Sequence, residues 1–187
     1  MNKVHDIIPG QRRLSKKFLQ GKMQFLARGF ISCLYHDEAL NKEVMCWPEG
    51  LIILLDIWGS EPSIALQKFS GRLHMIDPST VISYDTRVSF KNISFAHKVL
   101  SGRMGFYRAM LENRLVIEGQ LFFTLPVMRC LARVQAILFR LPQGEALQNQ
   151  KITVGLGRLK VYKDILFLRG IGKEDGPFDT EVLRVFE

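Results

Sequence analysis

The sequence predicts a mixed fold of the α/β (α+β) class, a sheet with helices beside it. Three observations carry that expectation. Runs rich in β-branched and aromatic residues alternate with turn signals over 47–76, a long run of helical period fills 121–139, and a second fills 11–36. At 187 residues, 47% of them apolar and 24% charged, the chain is sized for one ordinary domain with short extensions.

Residues 11–36 carry apolar side chains at helical spacing and contain no proline, which predicts the first helix. Trp47-Pro48-Glu49-Gly50 signals a turn into a strand, Leu51 to Trp58, and Gly59-Ser60-Glu61-Pro62 turns the chain into a second, Ser63 to Phe69. Ser70-Gly71 leads to a third, Arg72 to Ile76, so the three form an antiparallel meander. Asp77-Pro78-Ser79 breaks the run, and Thr86 to Phe90 alternates in and out as a half-buried strand. Asn92 suits the N-cap of a short helix, Ile93 to Leu100, which Ser101-Gly102 stops before another, Met104 to Glu112. Asn113 tolerates the left-handed conformation that helix ends require, and Arg114 to Glu118 is a strand ended by Gly119. In Leu121 to Phe139, Val127, Cys130, Leu131, Val134, Ile137 and Leu138 share one side of a helix, with Arg129, Arg133 and Arg140 opposite. Pro126 fits a first helical turn, which places the start near Leu125. Residues 151–172 read as strand, turn and strand about Gly155-Leu-Gly157. The chain thus divides into a basic helical extension (1–45), a central domain (46–142), and a C-terminal β extension with an acidic tail (143–187).

Charge is uneven. The formal net charge is +8, and residues 1–30 hold Lys3, Arg12, Arg13, Lys16, Lys17, Lys22 and Arg28 against Asp6 alone. Residues 173–187 reverse the sign, with Lys173 and Arg184 against five acids. A basic segment that also carries Leu14, Phe18, Leu19, Phe25, Leu26 and Phe30 fits an interfacial helix at an anionic membrane, or a long helix packed on its own domain with a solvated basic side. Three cysteines without a C-x-x-C pair exclude a disulfide framework and a thiolate metal cage. No apolar signal region follows Met1, and the longest apolar stretch, Leu51 to Leu55, is far short of the roughly 20 residues that span a bilayer, so a cytoplasmic protein is expected.

Catalytic motifs are missing. No G-x-S-x-G elbow or G-K-[ST] loop occurs, and His5, His36, His74 and His97 make no H-x-x-x-H pair. His36-Asp37-Glu38 offers ligand types in a row, but adjacent helical positions point about 100° apart and the three read as a solvated turn. Neither an enzyme, a metal site nor a cofactor is expected. Nucleic acid is an unlikely partner, because aromatics do not interleave with the basic residues and no helix-turn-helix or finger pattern appears. The excess is apolar, with 13 Phe and 7 Met. Phe95, Phe106, Met110, Phe122, Phe123 and Met128 fall on short helices beside one sheet, where they serve as plain core or line a cavity for an apolar ligand.

Three stretches between Asp85 and Leu141 carry a resemblance. Asp85-Thr-Arg-Val-Ser-Phe-Lys-Asn92, then Val99-Leu-Ser-Gly102, then Glu112-Asn-Arg-Leu-Val-Ile-Glu-Gly119 ahead of a long helix resembles the sterol carrier protein 2 family in the order and spacing of its parts. The strand 114–119 looks especially like that of bacterial relatives that assist ubiquinone synthesis. Asn113 stands where the family usually has Gly, Gln120 where it has Asp, and the terminal Arg184-Val-Phe-Glu187 is no peroxisomal signal. The resemblance implies a mostly antiparallel sheet of about five strands, with helices on one face enclosing an apolar tunnel. It also implies a non-catalytic protein that binds fatty acyl chains, phospholipids, sterols or isoprenoids. Phe95, Val99, Phe106, Met110, Leu125 and Met128 are the expected lining. Arg12, Arg13, Lys16, Lys17, Arg129, Arg133 and Arg140 are the expected surface toward an anionic membrane or a protein partner. The alternative is a scaffold with a collapsed cavity, engaging partners through its termini.

Overall fold

In the computed structural model, which describes residues 9–58, 60–139 and 156–167, the first described element is the 28-residue helix α1 (Pro9–His36). A second helix, α2 (Glu38–Met45), follows at once, and three strands come next: β1 (Ile52–Ile57), β2 (Ser60–Phe69) and β3 (Arg72–Ile76). A 3₁₀ turn at Pro78–Thr80 leads to β4 (Thr86–Phe90), then to α3 (Ile93–Leu100), α4 (Phe106–Leu111), β5 (Leu115–Gly119), α5 (Leu121–Leu138) and α6 (Leu156–Phe167).

The five strands form one sheet in the order β3-β2-β1-β4-β5. The expected meander is present, β1 against β2 and β2 against β3 antiparallel, and β4 pairs antiparallel with β5. β4, however, returns to lie parallel to β1, so the sheet is mixed. Asp85 anchors that return, its carboxylate accepting the Ile52 backbone N–H at 2.8 Å. The registers place Ile53, Leu55 and Ile57 level with Leu66, Ile64, Val88 and Phe90 on one buried face. α1 contributes Leu19, Met23, Leu26 and Phe30 to that core at spacings of four, three and four, the stripe a core-facing helix needs. α5 is the one helix among the described residues long and apolar enough to cross a bilayer, yet two-thirds of it is buried, as befits a core helix.

Glycine is required at Gly119. Its φ is +124°, and a Cβ there would sit 2.1 Å from the Asp85 carbonyl oxygen. β5 therefore ends where backbone passes directly over backbone.

Four sequence expectations need correction. His36-Asp37-Glu38 is no solvated turn: Asp37 is buried and caps α2, accepting the Leu40 N–H at 2.9 Å, while His36 Nε2 meets Asp164 of α6 at 2.5 Å. α2 itself was not expected, because its eight residues carry only Leu40 and Val44 as buried anchors. α5 starts at Leu121, with Pro126 inside the helix. The turn ahead of that proline is held by packing, with Thr124 buried and Phe123 set against the core. Finally, 156–167 is helical, not strand and turn. Val161 and Ile165, four apart, are its buried face. Its docking is also polar: Arg158 donates to the carbonyls of Ile137 (2.7 Å) and Ala136 (3.3 Å), and Tyr162 Oη to that of Leu138. Helix α6 thus satisfies the carbonyls that the end of α5 leaves without an intrahelical partner. The acidic tail from Lys173 lies outside the described residues.

Candidate functional site

The expected lining residues separate into three environments. Val99 and Phe106 belong to the deepest core, with Met128 beside them at 2% exposure, and the Phe106 ring lies 6.3 Å from that of Phe90. Phe95 and Met110 are half-buried, Phe95 under the Arg114 guanidinium at 4.4 Å. Leu125 departs from expectation. It is 52% exposed, on the side of α5 opposite the buried Val127. There it joins Leu121 (74%) and Phe122 (79%) in an apolar strip where α5 leaves β5. The strip continues inward. The Phe122 ring meets Phe123 edge-on at 5.2 Å, and Phe123, Met110 and Ile117 pack half-buried onto the core. Met110, Ile117 and Phe123 stand on α4, β5 and α5, three elements that contact one another.

One polar residue holds that seam. Gln135 of α5 is fully buried; its side-chain oxygen accepts the Phe106 N–H at 2.9 Å, and its amide donates to the carbonyls of Val99 (2.8 Å) and Met104 (2.7 Å). It thereby ties the end of α3 and the start of α4 to α5, and serves the first N–H of a helix whose cap, Gly105, has no side chain to do so. Sequence reasoning missed Gln135. Its only signal was a polar residue amid the apolar run of α5.

The arginines expected as a charged outer face divide likewise. Arg133 is 8% exposed and grips Asp37, Nε at 3.0 Å from both carboxylate oxygens and Nη2 at 2.8 Å from one. It is a core ion pair and no membrane or partner surface. The cause is α2, which lies over the middle of α5, at Arg129 to Arg133, and closes the side expected to be solvated. Arg129 stays half-exposed and pairs with Glu43 of α2, Nε at 3.0 Å. Between α2 and α5 lies a shallow open depression lined by Ala39, Leu40, Glu43, Arg129, Cys130 and Arg133. Its charges are paired, so it suits neither an apolar chain nor a free anion. Cys130 and Cys33 are unfit as nucleophiles: burial pushes both thiols up, Cys33 to about 12 with the Asp37 charge adding to the effect. Lys16 and Lys17 lie on the open side of α1, half-buried and exposed respectively. Arg12 and Arg13 fall within α1, and their side chains, like the whole of Arg140, lie outside the described residues.

The sequence matches no protein-family model and no curated protein. Solved structures do match. One is a conserved hypothetical protein from Thermus thermophilus, suggested to be a sterol carrier protein, at 18% identity and a TM-score of 0.42 over 59% of this chain and 83% of that one. Another is a UbiJ–SCP2 ubiquinone synthesis protein, at 12% identity and a TM-score of 0.35 over 54% of this chain and 88% of the other.

Proposed function

We propose that the protein binds the apolar chain of a lipid, whether fatty acyl, phospholipid, sterol or isoprenoid, between its helical layer and its sheet, and carries or presents it at an anionic membrane surface. The observation that carries this reading is the strip Leu121, Phe122 and Leu125, which stands in water at the start of α5 with the Phe122 ring against the partly buried Phe123. The work done is solvation and no bond is made or broken. Each CH₂ kept from water is worth about 0.8 kcal/mol, so even eight of them supply about 6 kcal/mol of binding. Met110, half-buried at the inner end of the strip, is a side chain able to change rotamer and admit a chain. Lys16 and Lys17 on the open side of α1 are the basic groups that would face an anionic bilayer.

A second reading is favoured by the burial of Val99, Phe106 and Met128, three of the expected lining residues, in close-packed core. In that reading the interior stays closed and the exposed strip docks a protein partner. A fluorescent acyl probe separates the two. The carrier reading expects uptake by the native protein and its loss in Met110→Trp, with the circular dichroism of the variant unchanged. Uptake retained in Met110→Trp removes that residue from the lining, and no uptake by the native protein leaves the docking role.

A further inference from the structure

We propose that the corner where residues 82–84 meet the start of α5 is the face that enters a phospholipid bilayer surface, with Ile82, Leu121 and Phe122 reaching the acyl boundary. This deepens the membrane half of the proposed function and rests on it, and it does not depend on lipid carriage in the seam.

Two segments far apart in sequence are brought together there by the backbone. Thr86 of β4 pairs with Gly119 of β5, and the Asp85 carbonyl passes so close that a Cβ on Gly119 would lie 2.1 Å from its oxygen. The same Cβ would lie 3.2 Å from Thr124 Cγ2, so Asp85 and the first turn of α5 are neighbours. From the first segment, Ile82 stands wholly in water at 101% exposure, and Tyr84 is 37% exposed. From the second come the exposed Leu121, Phe122 and Leu125. Burial in the core does not explain an isoleucine in a loop that touches nothing, or a leucine and a phenylalanine on the outer side of a helix start.

Shape, charge and area choose the occupant. A rigid protein would need a pocket matched to Ile82, whereas acyl chains part around it. Tyr84 has the amphipathic build of a residue at headgroup level: its ring belongs to the patch, and its Oη donates to Glu118 Oε2 at 2.6 Å. Arg87, 5.7 Å from that ring, is paired with Asp56 at 2.6 Å and Glu118 at 3.5 Å, so contact at this rim dehydrates no lone charge. α5 opens here with no side-chain cap and no acid in its first turn, and the positive end of its dipole complements a layer of lipid phosphates. A second copy of the chain is the weaker fit. Five side chains at these exposures offer on the order of 600 Å², short of the roughly 800 Å² per partner that a stable dimer buries.

The test is flotation of the full chain with phosphatidylcholine vesicles containing phosphatidylglycerol, beside sedimentation velocity without lipid. The native protein should bind the vesicles and sediment as a monomer. Ile82→Asp and Phe122→Asp should each weaken vesicle binding by about tenfold or more, since each removes a whole apolar side chain from the acyl boundary. Leu166→Asp, the same change at an exposed position of α6, should alter binding by less than about threefold. Ile82→Asp should still take up the fluorescent acyl probe as the native protein does, and loss of that uptake would overturn the separation of this face from the seam. Equal losses in Ile82→Asp and Leu166→Asp would overturn the face in favour of diffuse attraction. A native dimer that Phe122→Asp dissolves would overturn its assignment to lipid. No vesicle binding at all would overturn the membrane half of the proposed function too. Binding that Lys16→Glu/Lys17→Glu weakens and Ile82→Asp leaves intact would spare that reading and sink this face alone.

Discussion

Arg133→Ala should be among the most destabilising single changes in the molecule, although sequence periodicity alone places Arg133 on an outer face. The structure buries the guanidinium against Asp37 under α2. Removing the arginine leaves a buried carboxylate whose remaining donor is the Leu40 N–H, and loss of one partner of such a pair costs about 3–5 kcal/mol. At the urea dependence usual for small proteins, about 1–3 kcal/mol per molar, the midpoint should fall by about 2 M. Asp37→Asn should cost nearly as much, because it leaves the arginine unpaired, yet it keeps a good cap for α2. The double variant Arg133→Met/Asp37→Asn removes both charges and retains the cap, and should return to within about 2 kcal/mol of the native protein. Arg129→Ala is the internal comparison: its pair with Glu43 is half-exposed, and about 1 kcal/mol or less is expected. Equilibrium urea unfolding followed by circular dichroism measures all four. An Arg133→Ala midpoint indistinguishable from that of Arg129→Ala would refute the buried pair and the position of α2 on α5.

Gly119→Ala combines a φ of +124° with a Cβ 2.1 Å from a backbone oxygen, and should cost about 3 kcal/mol or more, lowering Tm by about 10 °C in a thermal melt. Gln135→Leu strands the Phe106 N–H and two carbonyls without changing the apolar volume much. About 3 kcal/mol should be lost, and limited proteolysis should cut first near α4, whereas an unchanged digestion pattern would remove Gln135 as the tie of the seam. At pH 8 a maleimide should label Cys46 alone, since Cys33 titrates near 12 and the Cys130 thiol is also pushed up by burial. Below those values both stay protonated as well as buried, and labelling of either in the native state would contradict the packing of α1 and α5.

Local chemistry made the sheet legible. Turn residues at 47–50 and 70–71 and the alternation in β4 mark strands without reference to anything distant. The same holds for Asn92, whose side chain accepts the Phe95 N–H as expected. What escaped was decided at long range. The parallel placement of β4 beside β1 depends on Asp85 meeting Ile52, 33 residues away in sequence. α2 and α6 are short and weakly patterned alone; they become helices of this fold because Asp37 finds Arg133, Arg158 finds the end of α5, and His36 finds Asp164. The candidate site shows the same division. That Phe106, Met110 and Met128 gather beside one sheet was readable from spacing, but their exposure was not. Leu125, an expected lining residue, stands exposed, and Arg133, expected on an outer face, is covered by a helix that nothing in the sequence announces.

An apolar chain seated in the seam beneath Leu121, Phe122 and Leu125 should travel with the protein through purification. The most direct test is to purify the full chain under native conditions, extract it with organic solvent and identify the extract by mass spectrometry, against a parallel sample of Met110→Trp. The native protein should yield a lipid in stoichiometric amount, a quinone, prenol, acyl lipid or sterol, that the variant lacks. A native protein that yields no lipid and takes up no acyl probe would contradict it.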